Sequence, residues 1–599
     1  MSRRDLMRGG LAAAATGFLA PKPSLALDAA GSLAGAVTQA VGGPLISFAP
    51  VTIAQHAAQS DGGKVPVISS DYQYQVLIPW GTPIQPGGPA YNGNPDKRPT
   101  AAEQELQVGI GHDGMAFFGD GDDDLSSTAG MLCVNHEFGR NTHLIGKTAP
   151  ESLEDVRLSQ AAHGASVVRI ERDSDGAWQV AASPDSRRIT ANTPMAFSGP
   201  AAGSAFLENA AGNEPRGTMA NCGSGTTPWG TYLTCEENFN DYFGWTDPDF
   251  VPSKSQARYG FDADGAGYGW HSFDERFDLG NPDYANEHNR FGWIVEIDPR
   301  DGARKPVKRT ALGRFKHEAI AINVGPSGRI ACYMGDDQVF DYCYKFVSRL
   351  PYKLAQRLGR SPLDEGTLYV ARFNDDGTGR WLELSRRNPL LRDAFGSEAE
   401  LLVNTRLAAD IVGATPMDRP EWTTIGQNNM VYWTLTNNVE RTEPNAANPE
   451  TPNNDGHIIR TSDSAVSSRS FRWDIYLIAS STRGTEGVFS DPDAALADPF
   501  GRLFVATDGG QQDGLQNQLI VFDLTAEKPT PNRLFTGVAH DELTGCTASP
   551  DCRTIWVNVQ HPGSGDPAAT NFPAPTDGLT VPRDCTVVIT KKDGGIIGS

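Results

Sequence analysis

Residues 318–337 begin Glu318-Ala319-Ile320-Ala321-Ile322, turn through Pro326-Ser327-Gly328, run back as Ile330-Ala331-Cys332-Tyr333-Met334 and end in Gly335-Asp336-Asp337. A short apolar run, a Pro/Gly turn and a second apolar run read as a β-hairpin. The same unit recurs along the chain. Apolar runs ending in polar clusters are Met131-Leu132-Cys133-Val134 into Asn135-His136-Glu137, and Tyr232-Leu233-Thr234-Cys235 into Glu236-Glu237-Asn238. Further on come Val431-Tyr432-Trp433-Thr434-Leu435 into Thr436-Asn437-Asn438, Leu503-Phe504-Val505-Ala506 into Thr507-Asp508-Gly509, and Ile555-Trp556-Val557-Asn558-Val559 into Gln560-His561. Turns at Pro228-Trp229-Gly230, Pro499-Phe500-Gly501 and Pro550-Asp551 precede three of them. Six repeats of one hairpin in an all-β chain predict a six-bladed β-propeller, each blade contributing a visible hairpin. A β-sandwich would also supply short strands, but nothing in it calls for the repeat.

Hairpin geometry then groups residues far apart in sequence. The start of the first strand and the end of the second lie side by side, opposite the turn. The starts are Glu318, Glu421, Asp493 and Glu542; the ends are Asn135, Glu137, Cys235, Glu236, Glu237, Asp336, Asp337, Asn438, Asp508 and His561. All are expected to ring one mouth of the central channel. So many converging carboxylates repel one another unless cations sit among them, so the clusters read as metal ligands. Cys235-Glu236-Glu237-Asn238 is the sharpest motif, because a thiolate among hard oxygens suits iron or zinc beside calcium. Among the histidines, His136 and His317 adjoin carboxylates, but alternation along a strand turns neighbours to opposite faces, which favours the glutamates. In Asp418-Arg419-Pro420-Glu421, Arg419 is placed to fork onto phosphoryl oxygens.

Between repeats the chain is irregular. Residues 27 to about 105 are Gly- and Pro-rich, Tyr242 to Asn289 is rich in Asp, Gly and aromatics, and Glu440 to Ser470 is polar; these read as inserts over the propeller faces. Helix is expected in Ser348 to Leu358 and near Glu398 to Asp410, as minor decoration. Asp262-Ala263-Asp264-Gly265 starts like a calcium loop but carries Phe273 where the twelfth-position glutamate belongs. No phosphate-binding glycine loop and no nucleophile elbow is evident.

The N-terminus addresses the compartment. Ser2-Arg3-Arg4-Asp5-Leu6-Met7-Arg8, the apolar run Gly9 to Ala20 and the small-residue site Ser24-Leu25-Ala26 read as a twin-arginine export signal over residues 1–26. Residues 27–599 are then one propeller domain, periplasmic or secreted, with the twin-arginine translocase as a partner during export. The apolar run is too short for a permanent membrane anchor. A formal net charge of −22 over 599 residues repels nucleic acid and anionic membranes. It also repels phosphate unless bound cations invert the local field. Eight cysteines do not make a disulfide scaffold, and Cys546 with Cys552 is the single pairing the spacing suggests.

Taken together these residues resemble the PhoX family, calcium-dependent alkaline phosphatases of bacteria exported by the twin-arginine route. The match runs in order through Cys133-Val134-Asn135-His136-Glu137, Thr227-Pro228-Trp229-Gly230, Thr234-Cys235-Glu236-Glu237-Asn238, Gly313-Arg314-Phe315-Lys316-His317-Glu318 and Gly335-Asp336-Asp337. It continues in Tyr344-Lys345-Phe346-Val347, Asp418-Arg419-Pro420-Glu421-Trp422, Ala506-Thr507-Asp508-Gly509 and Val559-Gln560-His561-Pro562-Gly563. The resemblance implies a monomeric six-bladed propeller carrying a mixed cluster of Fe3+ and Ca2+, hydrolysing phosphomonoesters with broad specificity to scavenge phosphate outside the cytoplasm. Within it Cys235, Glu318 and Glu421 look like cluster ligands, with Glu137, Glu236, Glu237, Asp508 and Glu542 as further candidates and Arg419 as the phosphate clamp. Two other readings compete: a calcium-dependent propeller lactonase, which has no use for a cysteine, and a non-catalytic propeller stiffened by calcium for partner binding.

Overall fold

The computed structural model describes residues 44–121 and 124–599; the export signal read in residues 1–26 lies outside them. Six antiparallel blades follow one another around an axis, as the repeat predicts. Their innermost strands are His112–Gly119, Asn221–Thr226, His317–Val324, Pro420–Ile425, Pro492–Ala497 and Glu542–Ala548. Each inner strand contacts the next, and the last contacts the first, so the ring is closed. In every blade the second strand is the apolar run picked out by the repeat: Ala129–His136, Tyr232–Glu236, Ile330–Asp336, Val431–Leu435, Arg502–Thr507 and Thr554–Gln560. These strands are β-branched, aromatic and buried on both sides, as expected of sheets stacked face to face.

The apolar layers lie between blades. Met115, Leu132 and Val134 of blade 1 pack with Trp556 and Val588 of blade 6, while Phe118 and Cys133 meet Tyr232 and Val295 of blade 2. Blades 3 and 4 are joined into one nine-stranded sheet, because the extra strand Thr378–Leu384 pairs with the outer strand Ser470–Ile478. The polar insert expected over Glu440 to Ser470 is therefore partly strand: His457–Asp463 is the third strand of blade 4. Helices occur at Tyr352–Arg357, Glu398–Val403 and Thr405–Val412, where decoration was expected. All eight cysteines are unpaired, including Cys546 and Cys552, so the suggested disulfide is absent. No helix among the described residues is long and apolar enough to cross a membrane.

Blade 6 is closed by the N-terminal strand Tyr72–Leu77, which pairs along its length with the C-terminal strand Cys585–Lys591. Chain ends that share a sheet lock a ring that would otherwise have a raw edge. A chain beginning after Leu77 should lose its single cooperative thermal transition, measured by circular dichroism. Retention of the full-length Tm would show that this closure is dispensable.

Candidate metal centre and active site

Each inner strand begins with an acid or a thiol at nearly the same place: Asp113, Cys222, Glu318, Glu421, Asp493 and Glu542, one per blade and all buried. A β-bulge aims five of the six. In blade 3, His317 pairs with Asp336 but Ile320 pairs with Met334, so Glu318 and Ala319 share a single opposing residue. The same shift falls on Asp113, Cys222, Glu421 and Asp493. Such bulges re-aim a side chain where a strand meets a site. Glycine then lets the blades close on one another: a Cβ on Gly223, beside Cys222, would overlap the carbonyl oxygen of Glu318.

The residues just past the second strands complete the mouth. Donor atoms lie within 4.8 Å of one another in three groups that share members, Asp113 with Glu137 and Cys222, Cys222 with Glu237 and Glu318, and Glu318 with Glu421 and Asp493, and in a fourth that shares none, Asp508 with Glu542 and His561. The Cys222 thiol donates to Asp113 Oδ2 at 3.0 Å, and Thr544 Oγ1 donates to Asp113 Oδ1 at 2.8 Å. Gln560 Nε2 donates to Glu137 Oε2 at 3.0 Å, and Asn238 Nδ2 to Glu237 Oε2 at 2.6 Å. Asn135, read as a mouth residue, instead holds the bulged backbone: its Nδ2 donates to the carbonyls of Cys222 and Gly223 at 2.5 and 2.9 Å.

Glu318 has neither carboxylate oxygen hydrogen-bonded, although both are buried, and Asp493 Oδ1 is likewise orphaned. Buried polar atoms without partners cost several kcal/mol unless an ion or water serves them. Burial, and then the neighbouring carboxylates, push Glu137, Glu318 and Asp493 well above the usual carboxyl range. Burial does the same to Glu237, Glu421 and Glu542; Asp337 and Asp508 are the largest neighbouring charges adding to it at Glu237 and Glu542, while Arg419 opposes it at Glu421. At an effective dielectric of about 20, each charged pair at this spacing costs on the order of 3 kcal/mol. A site of this composition fits cations: carboxylates and one thiol, buried, aimed inward and short of donors.

The chain's own cations sit at the rim. Arg419 Nε and Nη2 fork onto the two oxygens of Asp337 at 2.9 and 2.8 Å, and Nη2 lies 2.6 Å from Glu421 Oε1. Burial works against its charge, but Asp337 and Glu421 outweigh it and hold its pKa well above the ordinary value. The fork expected for phosphate is thus spent on Asp337, which leaves Nη1 as the guanidinium nitrogen outside these contacts. Lys316 Nζ donates to Asn238 Oδ1 at 2.8 Å and Gln338 Oε1 at 3.0 Å, placing a second cation behind Glu237.

Of the residues expected as ligands, the structure brings together Glu137, Glu237, Glu318, Glu421, Asp508 and Glu542. Two others lie elsewhere. Cys235 pairs with Ile294 and points between blades 2 and 3, packed with Leu233, Ile320 and Leu312. Glu236 faces outward, 2.6 Å from the fully buried Lys308 Nζ, and accepts the amides of Gly292 and Trp293. The bulge is the reason: it adds a residue opposite Cys235 and gives the mouth to Cys222. His136 and His317 are structural, on Ser166 Oγ at 2.7 Å and the Gly313 carbonyl at 2.9 Å. The sequence reading does not single out Asp113 and Cys222, although His112-Asp113-Gly114 and Asn221-Cys222-Gly223 occupy the place of His317-Glu318-Ala319 two hairpins and one hairpin earlier.

A closed propeller whose mouth gathers buried carboxylates, a thiol and an arginine is the architecture of a metal-dependent hydrolase. The chain belongs to the PhoX alkaline phosphatases: the model of the family alkaline phosphatase PhoX matches residues 52–563. It is accordingly an enzyme, a phosphoric monoester hydrolase. It is similar to Pseudomonas fluorescens PhoX in complex with vanadate, a transition-state analogue, at 37% identity and a TM-score of 0.85, covering 93% of this chain and 100% of that one. A protein of unknown function from Dyadobacter fermentans is 10% identical over 81% of this chain and 98% of that one, with a TM-score of 0.36. A gluconolactonase from Xanthomonas campestris is 10% identical over 92% of this chain and 99% of that one, with a TM-score of 0.31, too low to argue for a lactonase. A comparison with curated proteins returned no match.

Two outcomes are expected. Cys222→Ser should lower bound transition metal in elemental analysis, whereas Cys235→Ser should keep it and lower only stability; the reverse pattern would restore Cys235 to the site. In protein stripped of cations, the raised carboxyl pKa values mean that the folded chain holds protons more tightly than the unfolded chain. Their contribution is fully present below about pH 4 and is lost as pH rises through the elevated folded values. The Tm of stripped protein should therefore fall from pH 5 to pH 8, and added cations should restore it.

Proposed function

We propose that this chain is a broad-specificity alkaline phosphatase that uses a mixed iron–calcium cluster at the propeller mouth to release phosphate outside the cytoplasm, after export by the twin-arginine route as a monomer. The observation that carries the metal reading is Glu318, buried, with both oxygens orphaned amid a ring of donors. Cys222 is the soft donor suited to iron, shared between Asp113 with Glu137 on one side and Glu237 with Glu318 on the other. Asp493 with Glu318 and Glu421, and Asp508 with Glu542 and His561, form the side without a thiol, whose carboxylates suit calcium. Bound there, such cations supply Lewis-acid neutralisation of the phosphoryl oxygens.

The chain's own residues do the rest. Asp337 and Glu421 hold the Arg419 guanidinium rigid and charged, so that Nη1 meets a phosphoryl oxygen without reorganisation. Lys316, fixed by Asn238 and Gln338, adds positive potential behind Glu237. Since the relative of known structure binds vanadate, vanadate is the natural probe. Protein purified without chelator should contain iron and calcium and hydrolyse 4-nitrophenyl phosphate with competitive inhibition by vanadate. Chelation should abolish turnover, and readdition of both metals should restore it. Arg419→Ala should lower kcat/KM by roughly 100-fold, the scale of losing one charge-stabilising donor, with metal content kept. Full activity in metal-free protein would overturn the proposal.

A further inference from the structure

The hairpin ends opposite the donor ring carry a patch whose charge runs against that of the rest of the chain. Residues 348–363 contain no acid, while Arg349, Lys353, Arg357 and Arg360 are all exposed, in a protein of formal net charge −22. The helix Tyr352–Arg357 sits on this face because the Tyr352 amide donates to the carbonyl of Gly328, in the turn of the blade 3 hairpin, at 2.8 Å. The Tyr352 ring lies 5.9 Å from that of Trp229, in the turn of the blade 2 hairpin. Ala355 is buried beneath the helix, so the outward arc is Lys353, Leu354, Arg357 and Leu358. Gly359, at φ 69°, ends the helix, and the Arg360 amide donates back to the Ala355 carbonyl at 3.0 Å.

The fold makes no use of two features of that arc. Leu354 and Leu358, one turn apart, are 37% and 56% exposed. Among the described residues Lys353 and Arg357 have no acidic partner within 4.0 Å, and Arg349 and Arg360 share one acid, Glu365, at 3.3 and 3.1 Å. We propose that this face adsorbs reversibly onto a bilayer rich in anionic phospholipid, with Leu354 and Leu358 entering the headgroup layer and the four cations meeting lipid phosphates. A basic helix with an apolar edge is suited to such an interface. The overall negative charge does not prevent it: at about 0.1 M salt, charges more than about 10 Å away are screened, so the local patch decides. Charge alone would equally suit a soluble acidic polymer, and the exposed leucines are what favour lipid. Docked this way, the protein turns its donor ring away from the bilayer and keeps it open to dissolved substrate. The inference does not depend on the phosphatase reading.

The test is flotation of metal-loaded protein with vesicles of phosphatidylglycerol mixed into phosphatidylcholine, against phosphatidylcholine alone. It is run in about 0.1 M salt without free calcium, which would otherwise bridge the acidic protein to the lipid. The wild type should bind the anionic vesicles only, and added salt should weaken binding. Lys353→Gln combined with Arg357→Gln should lower the partition coefficient about thirtyfold, the loss of two cations near an anionic surface. Leu354→Ser combined with Leu358→Ser should lower it about tenfold, by removing the apolar edge. Both double variants should keep wild-type metal content and wild-type turnover of 4-nitrophenyl phosphate in solution, which shows that they are folded. Absence of binding, equal binding to both vesicles, or a partition coefficient unchanged in the glutamine variant would overturn the proposal. A loss in the glutamine variant with none in the serine variant would overturn it as well and assign the patch to soluble acidic polymers.

Discussion

The mutual repulsion of buried acids at one end of the channel is the constraint on which the structure turns. Asp113, Glu318, Glu421, Asp493 and Glu542 are brought to one end by five of the six inner strands, which have no freedom to diverge because each inner strand packs against the next. Among the described residues, only Glu421 of these is paired with a lysine or arginine of the chain, Arg419. The nearby cations are otherwise committed: Arg419 also forks onto Asp337 at the rim, while the buried Arg406 and Lys308 pair with Asp336 and Glu236. Glu318, fully buried, receives no hydrogen bond. A site of this kind calls for charge from outside the chain, in a strongly acidic protein whose family acts on phosphate esters, themselves anions.

This arrangement separates two kinds of carboxylate that look alike in composition. Glu236 and Glu237 are adjacent, yet one is a structural partner of a buried lysine and the other a member of the donor ring. Breaking the first pair would leave an uncompensated ammonium in the core, a loss of about 3–5 kcal/mol. Changing the second alters what the mouth can hold. The same division runs through Asp336 and Asp337: Asp336 anchors Arg406 beneath the site, while Asp337 holds Arg419 at it. Structure and chemistry thus alternate along each second strand as it leaves the sheet.

The connections that leave those strands have a different role. The turns at the opposite ends of the hairpins are short, whereas residues 137–163 and 237–293 are long and partly aromatic, and they build walls beside the donors. A rigid ring gathers the donors, and inserts of varied length line the space beside it. That division lets one propeller keep its reactive centre while its choice of substrate varies.

The six hairpins, their apolar second strands and the clustering of acids at one mouth were legible in the amino-acid order, because strand periodicity, Pro/Gly turns and polar termini are local signals. Six of the eight positions expected as ligands meet in the donor groups at that mouth. Cys235 and Glu236 do not, since strand alternation had to be read through a bulge that local sequence does not announce. Where Gly223 lets blade 2 close on Glu318, the extra residue turns Cys222 inward and Cys235 into the apolar layer. The closure by Tyr72–Leu77 and the fork of Arg419 on Asp337 were equally invisible, because each joins residues far apart in the chain. Local order specifies strands and charges; which side of a strand meets the centre is settled by the packing of one blade against the next.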